Sequence, residues 1–153
     1  MNLEIKNLKE HPEYLPILAK WHHAEWGYLY QGGTLGARVM KLREHLDKAF
    51  VPTTFIGLQD ELVGSASIVK QDMGDNIKLG PWLASVYVHP SHRKKGIGTK
   101  LVHYIKDQAI INNIGTLFLF TFDKEMYYQS LGWNVHQRVE YAGSEGTIMK
   151  MDS

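Results

Sequence analysis

The stretch at 82–112 constrains this chain more than any other: an apolar run, WLASVYV, enters a short basic glycine loop, RKKGIG, and continues with helical periodicity. Residues 83–88 are rich in β-formers and closed by His89 and Pro90, so they read as a buried strand. Beyond the loop Ile97, Leu101, Ile105 and Ala109 recur at a spacing of four, with Val102 alongside, which predicts a helix with one buried face. Asn112, Asn113 and Gly115 mark its end, and residues 116–122 form a second, nearly continuous apolar strand. Strand, helix, strand in this order implies a right-handed crossover with the two strands parallel. Ligands of such sheets bind beyond the carboxyl ends of the strands, where residues 93–98 would lie.

The loop has the chemistry of a phosphate site. It has no acidic residue, Gly96 and Gly98 let the backbone approach a ligand closely, and the first amides of the helix point outward at the positive end of its dipole. Neither the G-x-x-x-x-G-K-[ST] nor the G-x-G-x-x-G spacing is present. Instead Arg93-Lys94-Lys95-Gly96-Ile97-Gly98, after a strand ending in Val-His-Pro, resembles the R-x-x-G-x-G pyrophosphate loop of the GNAT acyltransferase superfamily, where it holds acetyl-CoA. Thirty residues on, Tyr127-Tyr128-Gln129-Ser130-Leu131-Gly132-Trp133 resembles the F/Y-Y-x-x-x-G-F/W segment that follows the second core strand in the same family. The resemblance covers nearly the whole chain. HPEYLPILAKWHHAEW and TFDKEMYYQSLGW are also loosely similar to the branch containing the animal enzyme that acetylates the actin N-terminus.

The resemblance implies an α/β fold: a mixed, mostly antiparallel sheet of about seven strands with a central parallel pair, and about four helices. It also implies acetyl-CoA as cosubstrate, held by Val86, Tyr87, Val88, Arg93, Lys94, Lys95, Gly96, Ile97, Gly98 and Thr99. The remaining chain supplies matching elements. Residues 3–8 alternate as a short strand, and Pro12 suits the first turn of a helix with Leu15, Leu18, Ala19 and Trp26 on one side, broken by Gln31-Gly32-Gly33. Thr34 is a credible N-cap for a helix in which Leu35, Val39, Leu42, Leu46 and Ala49 share a face, ended by Pro52. Residues 53–58 and 62–69 flank the hairpin connection Gln59-Asp60-Glu61, and 70–79, with Gly74, reads as a loop. Asp123 can cap a short helix at 126–131 that stops at Gly132, and 133–140 and 147–151 then close a hairpin around Ala142-Gly143-Ser144.

Composition narrows the function classes. At 153 residues, 44% hydrophobic and 22% charged, the chain fits one domain over 1–153 with a single core. Lys plus Arg total 17 against 16 acids, so a net charge of +1 gives no support to nucleic-acid binding, and the basic cluster at 93–95 is local. No apolar segment is long enough to span a bilayer and MNLEIKNLKEHPEY lacks the apolar core of a signal peptide, so the expected location is cytoplasmic; a homodimer is left open. Without cysteine there is no thiolate nucleophile, and the eight His form no metal-ligand spacing, so no metal site is expected.

Acetyl transfer to an amine sets three tasks: deprotonate the ammonium, stabilise the oxygen that gains negative charge, and protonate the leaving CoA thiolate. The resemblance assigns stabilisation to a backbone N–H at 86–88, where that strand splays from its parallel partner, and proton donation to the Tyr128 phenol, whose ordinary pKa is about 10. Direct attack in a ternary complex is favoured over an acetyl-enzyme. Many members of the family carry a glutamate in the strand before the loop, but Trp82-Leu83-Ala84-Ser85-Val86-Tyr87-Val88 has no carboxylate. The base therefore stays open among Glu25, His22, His23, Asp72 and Asp75, acting through water. Trp21, Trp26, Tyr28 and Tyr30 crowd around Gly27, and Trp82 opens the core strand. With Glu25, Trp26 and Trp82 as acceptor contacts, the site suits a small amine or a peptide α-amine. The alternative is a non-catalytic acyl-CoA sensor.

Overall fold

Among the described residues seven strands, β1 (Glu4–Asn7), β2 (Thr53–Gln59), β3 (Glu61–Val69), β4 (Trp82–Val88), β5 (Thr116–Thr121), β6 (Asn134–Tyr141) and β7 (Ser144–Asp152), form one sheet in the order β1-β2-β3-β4-β5-β7-β6. The computed structural model describes residues 2–29, 33–73 and 77–152; Tyr30, Gln31, Gly32, Gly74 and Asp75, which the sequence places in a helix break, an aromatic cluster and a loop, lie outside the described residues. Every pair of neighbouring strands is antiparallel except β4 and β5, which are parallel. Among the described residues four α-helices accompany the sheet: α1 (Leu15–Trp26), α2 (Leu35–Glu44), α3 (Ile97–Ile111) and α4 (Glu125–Ser130). This is the expected mixed sheet with its parallel pair at the centre.

The crossover helix α3 buries Ile97, Leu101, Val102, Ile105 and Ala109, the face its spacing predicts. That face packs on Val63, Ala66, Ile68, Leu83, Leu117, Leu119 and Met149 of the sheet. On other sheet positions α1 and α2 bury Leu15, Leu18, Ala19 and Leu42 with Leu8, Ile56 and Leu62. Burying a Leu or Ile side chain is worth about 1.5–3 kcal/mol, so these two clusters fix the sheet between its helices. The last hairpin turns at Ala142 (φ 51) and Gly143 (φ 84). Two successive positive φ values are the twist that a two-residue hairpin connection needs.

Several sequence expectations are corrected. The alternating start ends a residue early, because Leu8 leaves the strand for a 3₁₀ turn capped by the Asn7 side chain. Pro12 opens a separate 3₁₀ turn, and α1 starts only at Leu15. Thr34 caps α2 as expected, accepting from the Ala37 N–H at 3.0 Å, but the helix stops at Glu44 rather than at Pro52. His45 is the reason: its buried ring turns into the sheet, Nδ1 bonding the Thr54 hydroxyl at 2.7 Å, so Leu46 and Ala49 lie beyond the helix. Asp123 does not cap α4. The preceding turn is closed by Thr121, whose hydroxyl accepts from the Lys124 N–H at 3.0 Å.

Candidate active site

The two parallel strands touch at one end only. Trp82 pairs with Phe118, and the Phe118 N–H donates to the Pro81 carbonyl at 3.0 Å, but no further rung joins β4 to β5. The cause lies in β4. Ser65 faces Tyr87 and Ser67 faces Ala84, so Ser85 and Val86 together oppose Ala66: a β-bulge. Ser85 takes a left-handed conformation at φ 53, a place that normally favours glycine. The extra residue resets the alternation, so that Val86 and Val88 pack toward the α3 cluster while Tyr87 turns to Trp21, His22 and Trp26 of α1. It also bends β4 away from β5.

A cavity of about 590 Å³ fills the gap. Its walls come from Leu83, Ala84, Ser85 and Val86 of β4, from Leu119, Phe120 and Thr121 of β5 with Phe122, Asp123 and Lys124, from Tyr128 of α4, and from Tyr141 of β6. The far side is closed by Glu25, Trp26, Tyr28 and Leu29 after α1, Arg38 of α2, and Asp72 and Met73 of the β3–β4 loop.

The loop at 93–98 sits where the sequence puts it, between β4 and α3. Gly96 is left-handed (φ 79), and the first α-helical bond runs from the Lys100 N–H to the Gly96 carbonyl at 3.1 Å. The amides of Ile97, Gly98 and Thr99 precede that bond and open the helix. A Cβ at Gly96 would meet nothing within 4 Å, and one at Gly98 would meet only Val88 Cγ2, at 3.6 Å. The protein itself does not crowd either glycine, so the open backbone fits a pyrophosphate laid across it.

The side chains around this loop divide their work. Lys94 and Lys95 are exposed. Arg93 is pinned instead: its Nε donates to the Val88 carbonyl at 2.8 Å, its guanidinium lies 5.6 Å over the Tyr87 ring, and it pairs with Glu25 at 3.6 Å. It ties loop, strand and α1 together. Ile97 and Tyr87 are buried, so each can offer a cofactor its backbone but not its side chain. Thr99 bonds the Tyr127 hydroxyl at 2.6 Å, fastening α4 to the start of α3. Tyr128 then stands half-buried against Tyr127 and Trp133 (ring centroids 5.0 and 6.2 Å). Burial, with the Tyr127 ring beside it, pushes its phenol up to about 12. The group stays protonated at neutral pH, which suits a proton donor rather than a base.

The candidates for base separate. His22 is wholly buried with its Nε2 2.9 Å from the Ser65 hydroxyl, and burial, with Arg38 and His45 adding, holds its pKa down to about 3. It reaches no acceptor. His23 does not line the cavity, and Glu25 does but is paired with Arg93. Asp72 lines the cavity; burial raises its pKa to about 6, against the lowering pull of Lys41 and Arg38. Trp26 and Tyr28 also line it, while Trp82 is corrected. Its indole N–H donates to the Leu79 carbonyl at 2.8 Å and its ring packs wholly buried against Phe118 with Met73 and Ile148, so no acceptor can touch it. Sequence reasoning missed Ser85, Arg38, Phe120, Phe122 and Tyr141. Phe120 and Phe122 left a faint signal as an i, i+2 pair at the end of an apolar strand; the other three left none.

Residues 52–135, more than half of the chain, match the family described as acetyltransferase (GNAT) domain. No curated protein matches the sequence. Among solved structures, an aminoglycoside 6'-N-acetyltransferase complexed with coenzyme A is similar at TM-score 0.75 and 19% identity, over 99% of this chain and 97% of that one. The aminoglycoside 6'-N-acetyltransferase of Enterococcus faecium is similar at TM-score 0.72 and 19% identity, over 99% and 97%. The yncA protein of Salmonella typhimurium, solved with acetyl-CoA, is similar at TM-score 0.72 and 17% identity, over 99% and 94%. At these identities the structures attest the fold alone, and it is the match over 52–135 that places this chain in the GNAT acetyltransferase domain family.

Proposed function

We propose that residues 1–153 act as one cytoplasmic acetyltransferase domain, moving acetyl from acetyl-CoA to a primary amine by direct attack in a ternary complex. The observation that carries this reading is the cavity where β4 parts from β5, lined by Tyr128, with the same strand β4 leading on into the open start of α3. The amides of Ile97, Gly98 and Thr99, with Lys94 and Lys95, hold the pyrophosphate, and the backbone at Val86, Tyr87 and Val88 holds the acyl arm. Bound acetyl-CoA supplies a thioester carbonyl. The Val86 N–H stabilises charge on the acyl oxygen, and Tyr128 gives its proton to the departing sulfur.

Asp72 is the residue best suited to take the amine's proton, directly or through one water. It lines the cavity, and its raised pKa makes it a base only above pH 6. The rate should rise with pH through about 6, and Asp72→Asn should remove that limb; a limb unchanged in the variant reassigns the base.

Glu25, Trp26 and Tyr28 line the acceptor side. The lining holds three carboxylates (Glu25, Asp72, Asp123) and two cations (Arg38, Lys124) beside six aromatic rings (Trp26, Tyr28, Phe120, Phe122, Tyr128, Tyr141), a mixed surface suited to a single ammonium on a partly apolar body. CoA release should be assayed with monoamines, polyamines, aminoglycosides and acidic N-terminal peptides, the last because of the loose similarity to the actin N-terminal branch. Turnover of polycations alone rejects the single-ammonium reading. Binding of acetyl-CoA with no turnover on any amine selects the sensor alternative.

A further inference from the structure

One buried polar chain among the described residues runs out of the core to the wall of the cavity. His22 on α1 and Ser65 on β3 are both 0% exposed; His22 Nε2 lies 2.9 Å from Ser65 Oγ, and the Ser65 hydroxyl donates to the Ser85 carbonyl at 3.3 Å. A carbonyl can only accept, so the one hydroxyl hydrogen of Ser65 is committed to Ser85, and the hydrogen between His22 and Ser65 must come from Nε2. With the Ser65–Ser85 bond in place, the histidine is the Nε2–H tautomer. This also accounts for His22 Nδ1, which is buried without a partner: in this tautomer Nδ1 is a bare acceptor, with no N–H left stranded. A second chain of the same kind, His45 to Thr54 to Ser67, ends inside the sheet and touches no cavity wall.

The Ser85 carbonyl belongs to the strained bulge. Because the Ser85–Val86 peptide is trans, its C=O and N–H point in opposite directions. Ser65 draws the carbonyl toward β3, so the Val86 N–H is turned the other way, toward the side that β5 has vacated. Backbone in a left-handed conformation at serine persists only where its surroundings over-determine it, and the His22–Ser65 pair is such a restraint.

We propose that His22 and Ser65 are positioning residues that hold the Ser85 carbonyl and thereby aim the Val86 N–H at the acyl oxygen of acetyl-CoA. The proposal rests on the acetyl-CoA reading above. Its test compares calorimetric affinities for acetyl-CoA and for CoA, which lacks the acyl oxygen. In Ser65→Ala and His22→Leu the acetyl-CoA affinity should fall about 2- to 10-fold, the worth of one neutral hydrogen bond, while CoA affinity stays as in the wild type. His22→Gln, which keeps a donor near the Nε2 position, should restore the preference for acetyl-CoA. Equal losses for both ligands would mean general disruption of the fold and overturn the proposal, as would an unchanged preference in all three variants. Should the variants not fold, nitrogen NMR of the wild-type histidines decides: an Nε2–H signal for His22 supports the chain, and an Nδ1–H signal overturns it. A wild type that binds neither ligand sinks the acetyl-CoA reading, and this proposal with it; binding without altered discrimination sinks this proposal alone.

Discussion

The two sides of the cavity are put together in opposite ways. The donor side is one continuous stretch, β4, the loop and the start of α3, so most of its geometry follows from local spacing, two glycines and a helix N-terminus, and only the β4 bulge leans on a distant pair, His22 and Ser65. The acceptor side is gathered from the end of α1, Arg38 of α2, the β3–β4 loop, the end of β5 and Tyr141. The helices that carry it are tied to the sheet by polar links between separate elements, His22 of α1 to Ser65 of β3 and His45 beyond α2 to Thr54 of β2. Outside the bulge, a side built locally keeps its shape through its own backbone. A side built from distant pieces depends on the neutrality of the groups that join them.

Acid should therefore act first through the acceptor side. Burial, with nearby Arg38, lowers the pKa of His22 to about 3 and of His45 to about 4, against an ordinary value of 6.5. A histidine with a lowered folded pKa contributes stability that is present above 6.5 and lost as pH falls toward the folded value, because the unfolded chain takes up the proton first. Near pH 5 the two residues together should give a slope of up to about 2.7 kcal/mol per pH unit in unfolding free energy. Denaturant titrations from pH 7 to 4.5 measure it. Asp72, with its pKa raised to about 6, contributes in the opposite sense over this range in both proteins, so the difference between them is the test: His22→Gln should lower the slope by about 1.3 kcal/mol per pH unit, and an unchanged slope would break the contrast between the two sides.

Tyr128 stands where the sides meet, and its replacement should separate binding from chemistry. Tyr128→Phe keeps the ring against Trp133 and removes only the proton, so turnover should fall about 10²-fold or more, roughly 2.7 kcal/mol of barrier, with acetyl-CoA affinity intact. Full activity with any accepted amine reassigns Tyr128 to packing.

What could be read from the sequence follows the same division. The buried face of α3, the strands on either side of it, the loop glycines and the Tyr128 segment are local patterns, and they stand where the pattern puts them. Legibility failed where a tertiary contact overruled local preference. The apolar spacing through Leu46 and Ala49 predicts more helix, but a buried bond from His45 to Thr54 ends α2. Trp82 looks like an acceptor contact because it opens the core strand, yet strand alternation turns its ring into the cluster with Phe118. His22 reads as one of the candidate bases at the end of the first helix; only the structure shows that Ser65 of β3 takes its Nε2. Ser85 had no signal at all, since nothing in WLASVYV marks the residue at which the ladder slips.

Within the donor side, the two loop glycines should part in the same sense. Gly98 has helical backbone, and an added side chain meets only Val88 at ordinary contact distance, so Gly98→Leu should leave stability nearly unchanged. Its side chain would stand where the pyrophosphate approaches, and acetyl-CoA affinity should fall about tenfold, near 1.4 kcal/mol. Calorimetry on the folded variant reads this directly, and an unchanged affinity removes Gly98 from the cofactor site.

Gly96 is the smaller effect and the reverse case. Its Cβ would enter empty space, but its φ of 79 lies in the left-handed region, so Gly96→Ala meets backbone strain rather than a clash. The expected cost is about 1 kcal/mol of folding stability. Alanine adds only a methyl group, and the amides of Ile97, Gly98 and Thr99 keep their positions at the head of α3, so acetyl-CoA affinity should change less than twofold. Thermal unfolding with and without acetyl-CoA reads both quantities: the variant's midpoint should sit lower in each condition, while the shift produced by the ligand stays as in the wild type. A diminished ligand shift in Gly96→Ala, equal to that in Gly98→Leu, would mean that the loop binds as one strained unit and that its glycines do not divide conformation from access.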